Sequence, residues 1–297
     1  MEALEDVPYV AARAALPEHL EQRKKRGSDR MRYIADTTEF QIEEPTIVTL
    51  GKFDGRHRGH QKLLRTMMEL KKATGYPTAI FTFGTAPGTA VTGKPQTVIT
   101  TNLERRANME KVGIDYLVEY PFTEETRHME PEAFVKDILA GRMHAREIVV
   151  GPDCSFGYKG AGSAELLSAM ARDLGYHLHV IEKEKDHRRD ISSTYIREEL
   201  EKGNVEKANQ LLGQPYAIHG EVVHGNHIGG SLLGLPPQPI SFRLPSSACP
   251  DTAFTYHGCW WTASYYKGVT NIGKMPTVGG EYPAGVDDLY LWPGRRH

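Results

Sequence analysis

The chain has 297 residues, 39% of them hydrophobic and 25% charged, with a formal net charge of −2. That balance fits a folded protein of about two ordinary domains and argues against a broadly basic nucleic-acid or membrane-surface binder. Three cysteines without C-x-x-C spacing exclude a cysteine zinc site or disulfide framework and predict a reducing, cytoplasmic setting, and no apolar run is long enough to span a bilayer.

Residues 1–30 lack the basic-then-apolar order of a secretory signal. Their Ala-rich part reads as helical and "EQRKKRGSDR" as a solvated charge run. Residues 1–30 are therefore expected to be a disordered extension, with translation beginning at Met31. "PTIVTL" (Pro45–Leu50) reads as a buried strand, and "HQKLLRTMMELKKATG" places Leu63, Leu64, Met67 and Leu70 on one helical face, stopped by Gly75. "PTAIFTF" (Pro77–Phe83) is the next strand, which completes a βαβ unit with parallel strands. The alternation continues with a helix ending at Gly113, a strand in "DYLVEYPF", a helix in "EPEAFVKDILAG" ending at Gly141, a strand in "REIVVG", a helix in "GSAELLSAMARDLG" and a strand in "YHLHVIEK". An α/β domain with a parallel sheet is predicted over 31–190. A helical connector over 191–215 has two short helices that end at Gly203 and Gly213. Residues 216–297, rich in glycine and β-formers, predict a small β domain.

The chemistry gathers in "VTLGKFDGRHRGHQKLL", Val48 to Leu64. A glycine-rich turn between a strand's carboxyl end and a helix start is where open α/β sheets bind ligands, and helix N–H groups favour phosphate there. Gly51, Gly55 and Gly59 let backbone approach a ligand. His57 and His60, three apart, can turn both rings to one phosphate, as hydrogen-bond donors or as cations. The commoner phosphate loops, G-x-x-x-x-G-K-[ST] and G-x-G-x-x-G, are absent from this stretch.

His57-Arg58-Gly59-His60 resembles the H-x-G-H signature of the nucleotidyltransferase superfamily, and "GKFDGRHRGH" is similar to the version in prokaryotic bifunctional riboflavin kinase/FAD synthetases. "VGPDCSFGYKGAG" (Val150–Gly162) resembles that family's G-x-D-F-x-F-G segment, with Cys154 where Phe is usual. "ISSTYIREELEKGNVEKANQLLG" (Ile191–Gly213) resembles its I-S-S-T-x-I-R segment. The resemblance implies a Rossmann-like nucleotidyltransferase domain that joins FMN to ATP, giving FAD and diphosphate. It implies that His57 and His60 contact the ATP phosphates. Gly51, Lys52, Phe53, Asp54, Gly55 and Gly59 would shape the nucleotide loop, with Lys52 where Asn is common. Ser192, Ser193, Thr194 and Arg197 would form a second phosphate lobe, Arg197 gripping the leaving diphosphate. Asp153 and Phe156 would line the flavin side. Mg2+ would arrive with ATP, since no His/Asp/Glu cluster spells out a dedicated cage. "TFGTAPGTAVTGK" stands where the family has a P-H-P-containing loop.

"GEVVHGNHIGGSLLGLP" (Gly220–Pro236) and "YKGVTNIGKMPTVGG" (Tyr266–Gly280) resemble strands of the riboflavin kinase barrel. The family's P-T-A-N gives way to "LPPQPISFRLPSSACP", and the stretch with the expected catalytic Glu is not identifiable. The expectation is an incomplete barrel with open edges, a poorly ordered tail, and riboflavin kinase activity lost or impaired. The alternatives are an adenylyltransferase for another phosphorylated acceptor, a class I aminoacyl-tRNA synthetase lacking its K-M-S-K-S-like stretch, or a non-catalytic flavin- or nucleotide-binding remnant.

Overall fold

The computed structural model describes residues 9–14, 31–84, 97–224, 240–243, 252–261, 264–273 and 285–292. Its contacts fall into two units, one from Arg26–Gln96 and Asn102–Ile191, the other from Met1–Lys25, Thr97–Thr101 and Ser192–His297. In chain order, β1 (Tyr9–Ala14) belongs to the second unit. The first unit holds β2 (Arg32–Ala35), β3 (Thr46–Leu50), α1 (Arg58–Thr74), β4 (Thr78–Phe83), α2 (Asn102–Val112), β5 (Tyr116–Tyr120) and α3 (Glu124–Arg127). It continues with α4 (Pro131–Ala133), which runs on as a π-helix over Phe134–Arg142, then β6 (Ala145–Val150), α5 (Ala164–Leu174), β7 (His177–Val180) and a hairpin of β8 (Lys185–Asp186) and β9 (Arg189–Asp190).

Six strands form one parallel sheet in the order β2-β5-β4-β3-β6-β7. Alternating strand residues send side chains to opposite faces, and helices cover both. Val48, Phe81, Val118 and Ile148 pack with Phe134, Ile138 and Leu167 on one face. Ile47, Ile80, Leu117 and Val149 pack with Leu64, Met67 and Met109 on the other. Helix α1 ends as its sequence predicts: Gly75 is left-handed at φ 76°, and its N–H bonds to the carbonyl of Lys71.

The structure departs from the sequence reading in four places here. The helix expected to stop at Gly141 runs through it, because wide i→i+5 bonding, such as Met143 N–H to Ile138 O at 2.8 Å, keeps Phe134, Val135, Ile138 and Leu139 all in the core. The strand expected over "YHLHVIEK" ends at Val180: the Ile181 N–H bonds to Val150 O and the chain then leaves the sheet. Strand β2 and the β8–β9 hairpin were not anticipated; they are four- and two-residue strands with no readable period.

The second unit carries α6 (Ser193–Glu201) and α7 (Val205–Leu212), two helices in contact that bury Ile196, Leu200, Ala208 and Leu211, then β10 (Tyr216–His224), β11 (Ile240–Arg243), β12 (Thr252–Trp261), β13 (Ser264–Gly273) and β14 (Gly285–Trp292). These strands close a barrel in the order β1-β10-β11-β14-β13-β12. The edge expected to be open is instead paired: β1 lies parallel to β10 on one side and β12 on the other. The expected extension over residues 1–30 thus contains a strand where a helix was expected, and pairing at both edges satisfies its backbone as a lone helix turn would not. The α/β sheet followed by a riboflavin-kinase-like β region is the fold class read from the sequence. The kinase-motif stretch within 225–239, the loop within 85–96 and the tail segments 244–251, 274–284 and 293–297 lie outside the described residues.

Candidate active site

The turn from β3 into α1 leaves the sheet at its carboxyl edge. The Gly51 N–H bonds to Phe81 O at 3.1 Å, so the loop starts pinned to β4. Three of the next residues are left-handed: Phe53 at φ 49°, Gly55 at 81° and Arg56 at 35°. Two of these carry side chains, and such conformations cost roughly 1–3 kcal/mol each and persist only where packing holds them. Phe53 supplies that packing, being 1% exposed in the core beside Leu64 and Met67. A Cβ on Gly51 would stand 3.3 Å from the Phe53 ring. Asp54 is buried, whereas Gly51 and Lys52 are exposed.

His57 is the N-cap of α1, with extended backbone, and its Nδ1 accepts from the His60 N–H at 3.4 Å. Acceptance at Nδ1 leaves the neutral ring's proton on Nε2, free to donate elsewhere. The His57 and His60 rings stack 3.7 Å apart at 21°, and the core residue Phe53 lies 4.9 Å from His60. A Cβ on Gly59 would come within 3.2 Å of His57 Cε1 and Nδ1, so the glycine leaves room for the ring. Burial pushes His57 down to about 4, with Asp153 pulling the other way. His60 is pushed well below its ordinary value by burial and then by His57. Its buried Nδ1 has no hydrogen-bond partner among the described residues. The site therefore offers two neutral imidazoles beside the N-terminal N–H groups of a seventeen-residue helix, an arrangement suited to phosphoryl oxygens.

Asp153 sits on the turn after β6 and pairs with Lys183 Nζ at 2.9 Å. Phe156, expected on the flavin side, is 7% exposed; it packs 5.4 Å from Phe134, and its backbone bridges to Gly162. It packs in the core, and Gly162 leaves room for it, since a Cβ there would fall 2.3 Å from the Phe156 ring. Burial pushes the neighbouring Cys154 thiol up to about 11.

In the second unit, Ser192 caps α6 by accepting from the Tyr195 N–H at 3.2 Å. Arg197 Nη2 reaches Thr194 Oγ1 at 3.4 Å, with Thr194 exposed and Ser193 partly buried. The ordinary capping role of Ser192 is thus realised, with Thr194 in the helix's first turn and Arg197 in its second.

Two networks escaped the sequence reading. Glu119 on β5, 2% exposed, accepts from Arg105 and Arg106 at 2.7 Å each and from the Tyr33 hydroxyl at 2.7 Å, while Arg105 Nη1 reaches Lys52 O at 3.5 Å. Residues 182–184 are tied to α1 and to the turn after β6, through Lys62 to Glu182 O at 2.9 Å, Lys183 to Asp153, and Arg58 to Glu184 at 2.8 Å. The charge run "EKEK" was their one visible signal. Among the described residues, no three His, Cys, Asp or Glu side chains gather to hold a metal ion, and no helix is long and apolar enough to cross a membrane.

Residues 39–195 match the family model described as FAD synthetase, a span that includes His57, His60 and Asp153. The chain belongs to the FAD synthetase family. Residues 212–287 match the model described as riboflavin kinase. The bifunctional riboflavin kinase/FMN adenylyltransferase of Listeria monocytogenes is 34% identical over 86% of this chain and 81% of its own length. The proteins of the same description from Bacillus subtilis and Escherichia coli K12 are 32% and 29% identical, over 78% and 80% of this chain and 73% and 76% of theirs. Among solved structures, one titled a macrolide-efflux protein from Streptococcus pneumoniae superposes with a TM-score of 0.77 at 24% identity, over 90% of this chain and 86% of that one, a likeness of fold. FAD synthetases and their bifunctional relatives are nucleotidyl-transferring enzymes, and this chain keeps their two-part order.

Proposed function

We propose that this chain is an FMN adenylyltransferase that converts FMN and ATP to FAD and diphosphate. The observation that supports it most is the stacked His57–His60 pair at the N-terminus of α1, inside the stretch that matches FAD synthetases. A phosphate oxygen of FMN attacks the α-phosphorus of ATP; the bond from that phosphorus to the bridging oxygen breaks, and diphosphate leaves with its electron pair. No protein nucleophile is required, so positioning and charge stabilisation carry the rate. His57 donates from Nε2, and His60 and the first-turn N–H groups of α1 face the growing charge. Gly51, Lys52, Phe53, Asp54, Gly55 and Gly59 form the nucleotide loop. Ser192, Ser193, Thr194 and Arg197 hold the diphosphate end, and Asp153 orients the flavin side, with Phe156 supporting its turn from the core. Mg2+ binds as part of the ATP substrate; magnesium typically keeps its waters and takes one or two carboxylates beside phosphate oxygens, which fits a site with Asp54 in its loop.

The cytoplasm is the proposed compartment, from the cysteine usage. Riboflavin kinase activity, riboflavin and ATP giving FMN and ADP, is proposed to be lost or impaired, because "LPPQPISFRLPSSACP" stands where P-T-A-N is expected. Purified protein with FMN, ATP and Mg2+ should yield FAD by chromatography. With riboflavin in place of FMN, no FMN or FAD should appear. A folded sample that makes no FAD from FMN would overturn the first reading, and ATP-dependent FMN formation the second.

A further inference from the structure

Residues 182–184 form a strap across the first turns of α1. Lys62 Nζ donates to Glu182 O at 2.9 Å, and Glu184 pairs with Arg58 at 2.8 Å. Between them, Lys183 Nζ lies 2.9 Å from Asp153 and 3.3 Å from Asp190. Asp153 belongs to the turn after β6, and Asp190 closes the β8–β9 hairpin. The strap runs straight into that hairpin, whose ladder continues one pair further, the Ile191 N–H bonding to Glu184 O at 2.9 Å. The Ile191 carbonyl lies 3.7 Å from where a Cβ on Gly59 would stand, which brings the hairpin's exit against the helix turn that bears the histidines. Two carboxylates from separate segments thus share one ammonium, and removing it would leave them repelling each other.

We propose that Lys183 is a positioning residue for flavin binding, latching the turn that carries Asp153 to the hairpin that leads into Ser192. The assignment to flavin rests on the FMN adenylyltransferase reading; the latch itself rests on the geometry. Lysine suits this work because one compact ammonium can serve two acceptors in different directions. Lys183 touches no reacting atom: it acts through Asp153.

The test compares the full chain with Lys183→Met, which keeps the stem, and Lys183→Arg, which keeps the charge. Lys183→Met should raise the KM for FMN about two- to fivefold, the scale of a partly exposed ion pair, with kcat and the KM for ATP unchanged. Lys183→Arg should restore most of the loss. Hydrogen exchange over 151–156 and 185–191 should quicken in Lys183→Met and return to the parent rate in Lys183→Arg. An unchanged KM for FMN in an active enzyme overturns the flavin role, as does a matching rise in both KM values with a lower Tm, the mark of a merely structural contact. Unchanged exchange overturns the latch. If the parent protein makes no FAD, the functional reading and the flavin role fail together, and the exchange measurement still decides the latch.

Discussion

The His57 ring both stacks on His60, 3.7 Å between centroids, and caps the helix on which His60 stands. Two imidazolium rings at that distance would repel, and burial already pushes both rings toward the neutral form. Neutral rings also keep the Nδ1 lone pair that the cap requires. Capping, stacking and hydrogen-bond donation from His57 Nε2 are therefore compatible in one protonation state.

Stability should fall as pH falls across the window between the two forms of His57. In the unfolded chain the ring titrates near 6.5, but in the folded chain only near 4, so between those values the unfolded state binds the extra proton. Above the window the effect is absent. Across it the loss is on the order of 3 kcal/mol, and His60 acts in the same direction. Urea unfolding at several pH values should show this slope, and His57→Asn, which keeps a capping side chain without titrating, should make it shallower and leave the His60 share.

Replacing His57 or His60 by Ala should lower kcat for FAD formation by about 10²–10³-fold, the loss of a donor aimed at transition-state charge. Far-UV circular dichroism should show the fold retained. Initial rates measured by chromatography of the flavins would contradict the assignment if either variant stayed within about threefold of the parent, which is too small a loss for such a donor.

Gly59→Ala places a methyl group 3.2 Å from His57 Cε1 and Nδ1. Gly59 is helical, so alanine suits the backbone and the ring must yield. The expected result is a rate about tenfold lower with little change in Tm, because a small displacement of a donor is costly while helix propensity improves. A lower rate accompanied by an equally large loss of stability would point to disruption of the helix start.

Glu119→Ala should destabilise the first unit by about 3–5 kcal/mol, since Arg105 is left nearly buried without its counter-charge. Burial alone would push the Glu119 carboxyl up; hydrogen bonds from Arg106, Arg105 and Tyr33 outweigh it and hold the group below its usual range. Its stabilisation is therefore present above the unfolded carboxylate pKa and lost as pH falls through the folded value. Arg106→Ala, at a site one-third exposed, should cost about 1 kcal/mol. Denaturant midpoints for the two variants check the order.

Regular segments of the sheet unit were largely legible in the sequence because they are periodic. "PTIVTL" and "PTAIFTF" bury both faces, and Leu64 and Met67 recur on the helix between them. The glycine-rich turn between β3 and α1 was legible through residue type and place. A histidine near a helix start reads as a surface or capping residue by position, and His57 does cap α1 although histidine is not among the usual N-cap residues. The Glu119 cluster joins residues from β2, α2 and β5, and the Lys183 latch joins Asp153 to Asp190. Pairs so far apart in sequence leave no period to read. Phe156 was expected at a ligand and lies in the core, since an aromatic in a glycine-rich turn serves either purpose equally well by type.

The sheet order also sets a timetable for synthesis. The central β3–β4 pair is joined by one helix and can assemble as soon as it leaves the ribosome. Strand β2 emerges earlier but, among the described strands, pairs with β5 alone, 84 positions on for Arg32 and Tyr116, so it waits while the centre forms. Its docking is then clinched by Tyr33 reaching Glu119. A bulky fusion placed just ahead of Arg32 would burden the last strand to arrive at that rim and leave the nascent centre, with its histidines, to form undisturbed.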